Sequence, residues 1–272
     1  MARQWETRAV AIPDVRDTRP YPRGLSVWLL LACLAVLIGG TACTLVGGSG
    51  TIDTNVRTSA VPAQSFTISG QPALVIHDDV GVITVHNGGS NNVSVKGTKR
   101  LAGSGGDFNN ISIKSEQSGN TVNVTATVKH DIANTQESAN LDVTLPATAN
   151  VEVHVDAGGV TINGITGQLV LDTQAAAIDV EGATLKGRSQ LTASAGAITF
   201  KGTLDPQGKY LFKTDVGKID VTLPPDSAFA LKSSVSLGKV SNDFGSDSVG
   251  SGPRAQLEID TSTGVINVHK GS

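Results

Sequence analysis

The sequence predicts an all-β fold: a β-solenoid, or β-helix-like stack, of about 20-residue two-strand repeats with an antiparallel N-terminal cap, preceded by a single transmembrane helix. Three observations predict it. VEVHVDAGGVTI, LVLDTQAAAIDV, LTASAGAITF and YLFKTDVGKIDV, all within Val151–Val221, share one grammar. In each, apolar residues alternate, a small residue (Gly158, Ala176, Gly196, Gly217) interrupts, and a second alternating pair follows. Second, these small residues, with Gly238 and Gly264, recur at steps of 18 to 26 residues. Each unit is too small to bury its apolar face alone, so stacked units must share one. Third, 31 Gly, only 4% aromatics and abundant Val, Ile and Thr favour short strands and turns over helices. An ordinary β-sandwich is the rival architecture.

The small residue has a definite task. Before it, apolar slots lie five and seven residues away (Val153, Leu171, Leu191 and Phe212; Val151, Leu169, Ser189 and Tyr210). After it they lie two and four away (Val160, Ile178, Ile198 and Ile219; Ile162, Val180, Phe200 and Val221). The parity changes from odd to even, which in an unbroken strand would turn the second half inside out. The small residue must bend or bulge the chain so that both halves face one interior. Leu74–Val85 around Gly81 and Leu257–Val268 around Gly264 are further copies. A weaker one has Leu231, Gly238 and Val240, with Ser233 and Asn242 in apolar slots.

In chain order, residues 1–24 form an arginine-bearing tail (Arg3, Arg8, Arg16, Arg19, Arg23) in which Pro13, Pro20 and Pro22 oppose a helix. Residues 25–46 carry no charge. As a helix they would reach about 33 Å, enough to cross a hydrocarbon core of about 30 Å. The preceding arginines put the tail in the cytoplasm and the rest outside. Three readings stand for this segment: an uncleaved single-pass anchor, a cleaved signal, or a lipoprotein signal with lipidation at Cys43 after Gly40-Thr41-Ala42. Cys33 and Cys43 are the two cysteines, so the exported part has neither a disulfide nor a thiol nucleophile. Residues 47–63 read as a flexible Gly/Ser-rich linker, and residues 64–272 as the extracytoplasmic domain, its first strand starting at Phe66 and Ile68.

Within the cap, Val93-Ser-Val95, Ile111-Ser-Ile113, Val122-Asn-Val124 and Leu141–Leu145 alternate as strands, and Gly119-Asn120 marks a hairpin. Gly103–Gly106, His130–Ala139 and Phe244–Pro253 read as loops; the first lacks the Lys-Ser/Thr pair of a phosphate loop. Pro146 and Pro224-Pro225 mark corners, and the last strand ends near His269.

Leu141-Asp-Val-Thr-Leu145-Pro146, the recurring Gly-x-Ile-x-Val units and Gly217-Lys-Ile-Asp-Val-Thr-Leu-Pro224 resemble the bacterial domains of unknown function named "putative adhesin". The likeness spans Leu141–Phe244 and is weaker before it. It implies a β-solenoid-like fold outside a bacterial cell, often behind a signal or membrane anchor. The family has no agreed catalytic or ligand residues, so none is transferred. Ala176-Ala177 stands where a Gly-Asp pair is common, and Asn242 departs from the apolar slot.

No catalytic, cofactor-binding or metal-binding residue is assigned. His77, His86, His130, His154 and His269 are scattered, and His77, His154 and His269 fall on outward positions. Asp79, Asp156, Asp172, Asp179, Asp215, Asp220 and Asp260 recur near the bends, and stacking would bring Asp179 and Asp220 into one row across Thr199. Such a row is the basis for a Ca²⁺ or glycosidase alternative; solubility and protection of sheet edges is the plainer role. There is no Gly-x-Ser-x-Gly elbow. The net charge of −3 without a basic stripe excludes a nucleic-acid partner. Trp5 and Trp28 lie outside the repeats, and Tyr210 and Phe212 occupy core slots, which weakens both a lectin and a polysaccharide-lyase reading, since sugar binding usually needs exposed aromatic platforms. The expected function is therefore a non-enzymatic, adhesin-like interaction or scaffold module of the cell envelope, with the membrane and a protein or cell-surface polymer as partners. A polysaccharide-acting or Ca-dependent carbohydrate-binding protein and an envelope-stress sensor component are the alternatives.

Overall fold

A computed structural model describes residues 55–89, 91–103, 105–129 and 136–271. Strands β1 (Val56–Thr67), β2 (Ala73–Asn87), β3 (Asn92–Ala102), β4 (Ile111–Ser118), β5 (Thr121–Val128) and β6 (Gln136–Leu145) come first. There follow β7 (Asn150–Asn163), β8 (Thr166–Gly167), β9 (Leu169–Leu185), β10 (Arg188–Ala195), β11 (Ile198–Leu204), β12 (Lys209–Leu223), β13 (Phe229–Asn242), β14 (Ser248–Val249) and β15 (Ala255–Lys270). Among the described residues the fold is all-β, relieved by one 3₁₀ turn at Phe108–Asn110. The expected span or signal at 25–46, Cys33 and Cys43 lie outside the described residues. Among the described residues no helix is long and apolar enough to cross a membrane.

The repeat copies pair in parallel, in the order β2, β7, β9, β10 with β11, β12, β15, β13. Their bend residues are in register: Gly81 with Gly158, Gly158 with Ala176, Gly217 with Gly264, and Gly264 with Gly238. Two strands per repeat were expected. Instead, most copies are one long strand whose ladder continues through the bend; only β10 and β11 break there. The reason is the missing side chain. A Cβ on Gly158, Gly217 or Gly264 would collide with the backbone carbonyl of Gly81, Gly196 or Gly217 on the next rung. Without it the rungs close up and keep their hydrogen bonds.

Both arms of each bent strand face one interior. Val160, Ile178, Ile198 and Ile219 after the bend are buried, as are Val153, Leu171, Leu191 and Phe212 before it. The Phe200 and Phe212 rings, one from each side of the bend, meet at 5.3 Å between centroids. Two slots read as apolar carry oxygen and still close. Ser189 Oγ accepts from Leu169 N at 3.1 Å and donates to Lys186 O at 3.2 Å. The Tyr210 hydroxyl donates to Leu185 O at 2.8 Å.

Rung order departs from chain order at one place: β15 lies between β12 and β13. Polar slots explain it. Ser233 and Asn242 occupy positions that Ile259 and Val268 fill in β15. Burying a hydroxyl and an amide between two rungs costs about 1–3 kcal/mol each when unpaired. At the end of the stack they remain partly exposed, and Asn242 Nδ2 reaches Ser246 O at 3.0 Å. The weak copy is thus the terminal one.

At the other end the sheet divides on β2. Its first arm pairs with β5, its second with β6, both in parallel. Beyond them β4 pairs antiparallel with β5, β3 antiparallel with β6, and β1 antiparallel with β3. Three boundaries read from sequence are corrected. The linker expected over 47–63 and the first strand expected at Phe66 give way to β1 from Val56, whose side chains are mostly exposed and so lack apolar alternation. The loop expected through Ala139 ends before Gln136; Glu137 and Ala139 are buried against β3, but neither reads as an apolar strand residue. His130, in that loop, lies outside the described residues.

A further inward slot, three residues before each bend, was not read from sequence. It holds Asp78, Val155, Thr173, Ala193, Thr214 and Thr261, all buried, and the half-buried Val235. Thr214 Oγ1 donates to Gly196 O at 3.2 Å, tying the bend to its neighbour. The recurrence of Thr at this offset was the available signal. Asp78 is the outlier. Burial pushes its carboxyl up to about 7, against the pull of the Val80 N–H on Oδ1, with Asp79 and Asp156 adding to the rise. The carboxyl keeps its proton to about pH 7 folded, but only to about 3.8 unfolded. Its contribution to stability is therefore complete below pH 3.8 and lost as pH climbs through 7. Asp78→Asn should raise stability by roughly 2 kcal/mol at pH 8 and change it little near pH 4. Urea unfolding across that range checks it; an unchanged pH dependence would refute the assignment.

Candidate interaction surface

Register turns the outward positions into columns that run along the stack at about 4.8 Å per rung. Four residues before the bend, one column reads His77, His154, Asp172, Thr192, Lys213, Asp260, Ser234. Its members hold one another. The His77 and His154 rings stack at 5.0 Å, 5° from parallel. His154 Nδ1 lies 3.7 Å from Asp172, and its Nε2 lies 3.1 Å from Glu152. Thr192 Oγ1 donates to Asp172 Oδ1 at 2.5 Å. The Asp172 carboxylate raises the His154 pKa, and His154 in turn lowers that of Asp172. Further along, burial and the neighbouring Glu258 raise Asp260, while Lys232 pairs with Glu258.

Beyond the bend, Asp179, Thr199, Asp220 and Asn267 share another column. The predicted row of Asp179 and Asp220 across Thr199 therefore exists. It is no cleft. Asp179 is exposed, and Asp220 is taken by Lys218 at 2.6 Å and Asn267 at 2.7 Å. Asp79 is likewise engaged, accepting from Val128 N at 2.9 Å, and Asp156 from Gln174 at 2.6 Å. Asp215 is exposed. His86 meets Thr144 at 2.9 Å, and His269 meets Asp243 at 3.0 Å. Among the described residues no three His, Cys, Asp or Glu side chains are grouped to hold a metal ion.

Apolar groups also reach the surface, which the sequence reading did not foresee. Positions flanking the bend glycines form a ridge of small residues (Ala157, Ala175, Ala195) that ends in larger ones. Val216 is 52% exposed and Leu237 69%, both in register with Thr263. Their place directly before a bend glycine was the signal: alternation there neither buries nor pairs them.

No family model and no curated protein matches the chain. Solved structures that are similar to it include a "putative cell adhesion protein" from Clostridium sporogenes, 14% identical, TM-score 0.45, covering 79% of this chain and 100% of that one. A "putative adhesin" from Bacteroides fragilis is 13% identical, TM-score 0.42, covering 77% and 97%. A "putative adhesin" from Parabacteroides distasonis is 10% identical, TM-score 0.26, covering 79% and 98%.

Proposed function

We propose that the protein is a β-solenoid-like scaffold displayed outside the membrane, where it recognises a protein or a cell-surface polymer without turning it over. The observation that carries this reading is the self-supporting outward column His77–His154–Asp172–Thr192. Ring stacking, the His154–Asp172 ion-pair contact and the Thr192–Asp172 hydrogen bond fix its side chains along the column before any partner arrives. A preformed surface loses little side-chain entropy on binding, and a fixed repeat suits an extended partner with its own repeating groups. Tethering falls to residues 25–46, as a single span with the N-terminus in the cytoplasm or as a lipid anchor at Cys43. The Asp179–Asp220 row adds no enzyme reading, because its carboxylates stand on an open face and one is neutralised by Lys218.

The test is photo-crosslinking on intact cells. A photoreactive residue replaces Gln190 or Lys213 in the full chain, both exposed on the columned face. A reproducible adduct with another envelope protein or with polymer, lost when His154 and Asp172 are both changed to Ala, is expected. Recovery of free chain alone from both positions overturns the proposal. Lipid labelling of the same cells, abolished by Cys43→Ala only for a lipoprotein, distinguishes the two tethers.

A further inference from the structure

Over Ser233–Asn242 the terminal rung β13 has a side on which the described residues provide no strand, and we propose that a second copy of this chain fills it. In the resulting closed dimer, β13 pairs antiparallel with its counterpart about a twofold axis between Leu237 and Gly238. The inference stands on register and does not depend on the surface reading above.

Three observations converge. The first is an unfinished edge. Among the described residues, β13 is joined on its outer side only by β14 at Phe229 and Ala230 and by the bond from Leu231 N to Asp247 O. From Ser233 to Asn242 the described residues provide no strand on that side. Free ladder groups are a template for another strand. The core is also unfinished there: Val240 is 42% exposed, whereas Ile266, its partner on the next rung, is fully buried.

The second is parity. Inward slots lie at odd offsets before the bend and at even offsets after it. Reversing the strand about the Leu237–Gly238 midpoint exchanges these two sets, so every inward slot meets an inward slot. Val235 then faces Val240 of the second copy, and Ser233 faces Asn242. Valine covers valine, and a hydroxyl meets an amide. A shift of two residues either way sets Val240 against Ser233 or Val235 against Asn242, and an odd shift sets inward residues against outward ones.

The third is charge. On the outward side the same register places Lys232 beside Asp243 of the second copy and Lys239 beside Ser236. A four-residue shift would oppose Lys232 to Lys239. Two lysines on an exposed edge are a usual defence against wrong strand partners; here this register avoids the repulsion and sets Lys232, which pairs with Glu258 of its own copy, near Asp243, which meets His269 of its own. The pairing is isologous, so it closes at two copies and leaves no edge of β13 free.

The test uses the full chain in mild detergent. Light scattering should give twice the protein mass, and Val240→Glu should return it to the monomer mass with an unchanged circular dichroism spectrum. Leu237→Cys, in a Cys33→Ser, Cys43→Ser background, should form a covalent dimer on mild oxidation. This exposed position decides the matter should Val240→Glu fail to fold. A monomer at micromolar concentration with no Leu237→Cys crosslink overturns the proposal. So does a dimer that survives Val240→Glu without that crosslink, which would place association elsewhere in the chain. A ladder of masses beyond two would also overturn it, since a closed pair cannot extend.

Discussion

Replacing Gly158 with Val should destabilise the chain by roughly 4 kcal/mol, while replacing the adjacent Gly159 with Ala should stay within about 0.5 kcal/mol of the parent. The two glycines are neighbours on one strand, and composition cannot distinguish them. Their surroundings can. Gly158 holds φ at 140°, a backbone conformation that a β-branched residue adopts only under strain, and its missing side chain faces the Gly81 carbonyl at close range. The conformational cost is about 1–3 kcal/mol. Forcing two rungs apart adds a comparable overpacking cost. A Cβ on Gly159 meets nothing within 4 Å. Ala176 is the natural control, a bend position that already carries a Cβ, so Ala176→Gly should lose only about 0.5–1 kcal/mol of backbone entropy. Thermal and urea unfolding of the three variants check the ranking. Equal effects at Gly158 and Gly159 would remove the close-approach account of the bend.

The bend was legible in the sequence because it rests on parity, a property of the chain itself. Odd offsets before Gly217 and even ones after it demand a change of direction, whatever lies nearby. What the sequence hid depends on neighbours. That a single strand passes through Gly217 follows from the carbonyl of Gly196 on another rung, and no local pattern reports it. The insertion of β15 between β12 and β13 is decided by which strand can afford an open side. Ser233 and Asn242 carried that information, but it becomes readable only once a stack with an end is assumed. The first ten residues of β1, ahead of the expected start at Phe66, were missed for a related reason: an edge strand with exposed side chains needs no apolar alternation, and Arg57–Ala60 shows none. Among outward residues, sequence placed His77, His154 and the acidic row correctly. It could not show that His154 and Asp172, 18 positions apart, would share a proton-dependent contact; that requires the register of β7 on β9.

Phe212→Ala should cost about 3–5 kcal/mol, the range for emptying a buried aromatic site. The more informative quantity is its coupling to Phe200. Both rings are fully buried, and they lie on opposite arms of the bent rungs: Phe212 five residues before Gly217, Phe200 four after Gly196. Their 5.3 Å separation and 47° tilt allow a favourable aromatic contact only because the bend turns both arms inward. An extended, unbent strand would put them on opposite faces of a sheet. Phe200→Leu and Phe212→Leu keep most of the buried volume while removing the ring pair. Their combined effect should fall short of the sum by about 0.5–1.5 kcal/mol. Phe244 gives the comparison. It packs edge-on to Phe229 at 5.0 Å but is only half-buried, at the open end of the stack. Phe244→Ala should therefore cost about 1–2 kcal/mol, well below the core value. Strict additivity of the Phe200 and Phe212 changes would mean that the arms do not share an interior. The stacked core, the columns it supports and the free edge of β13 would then all need another explanation.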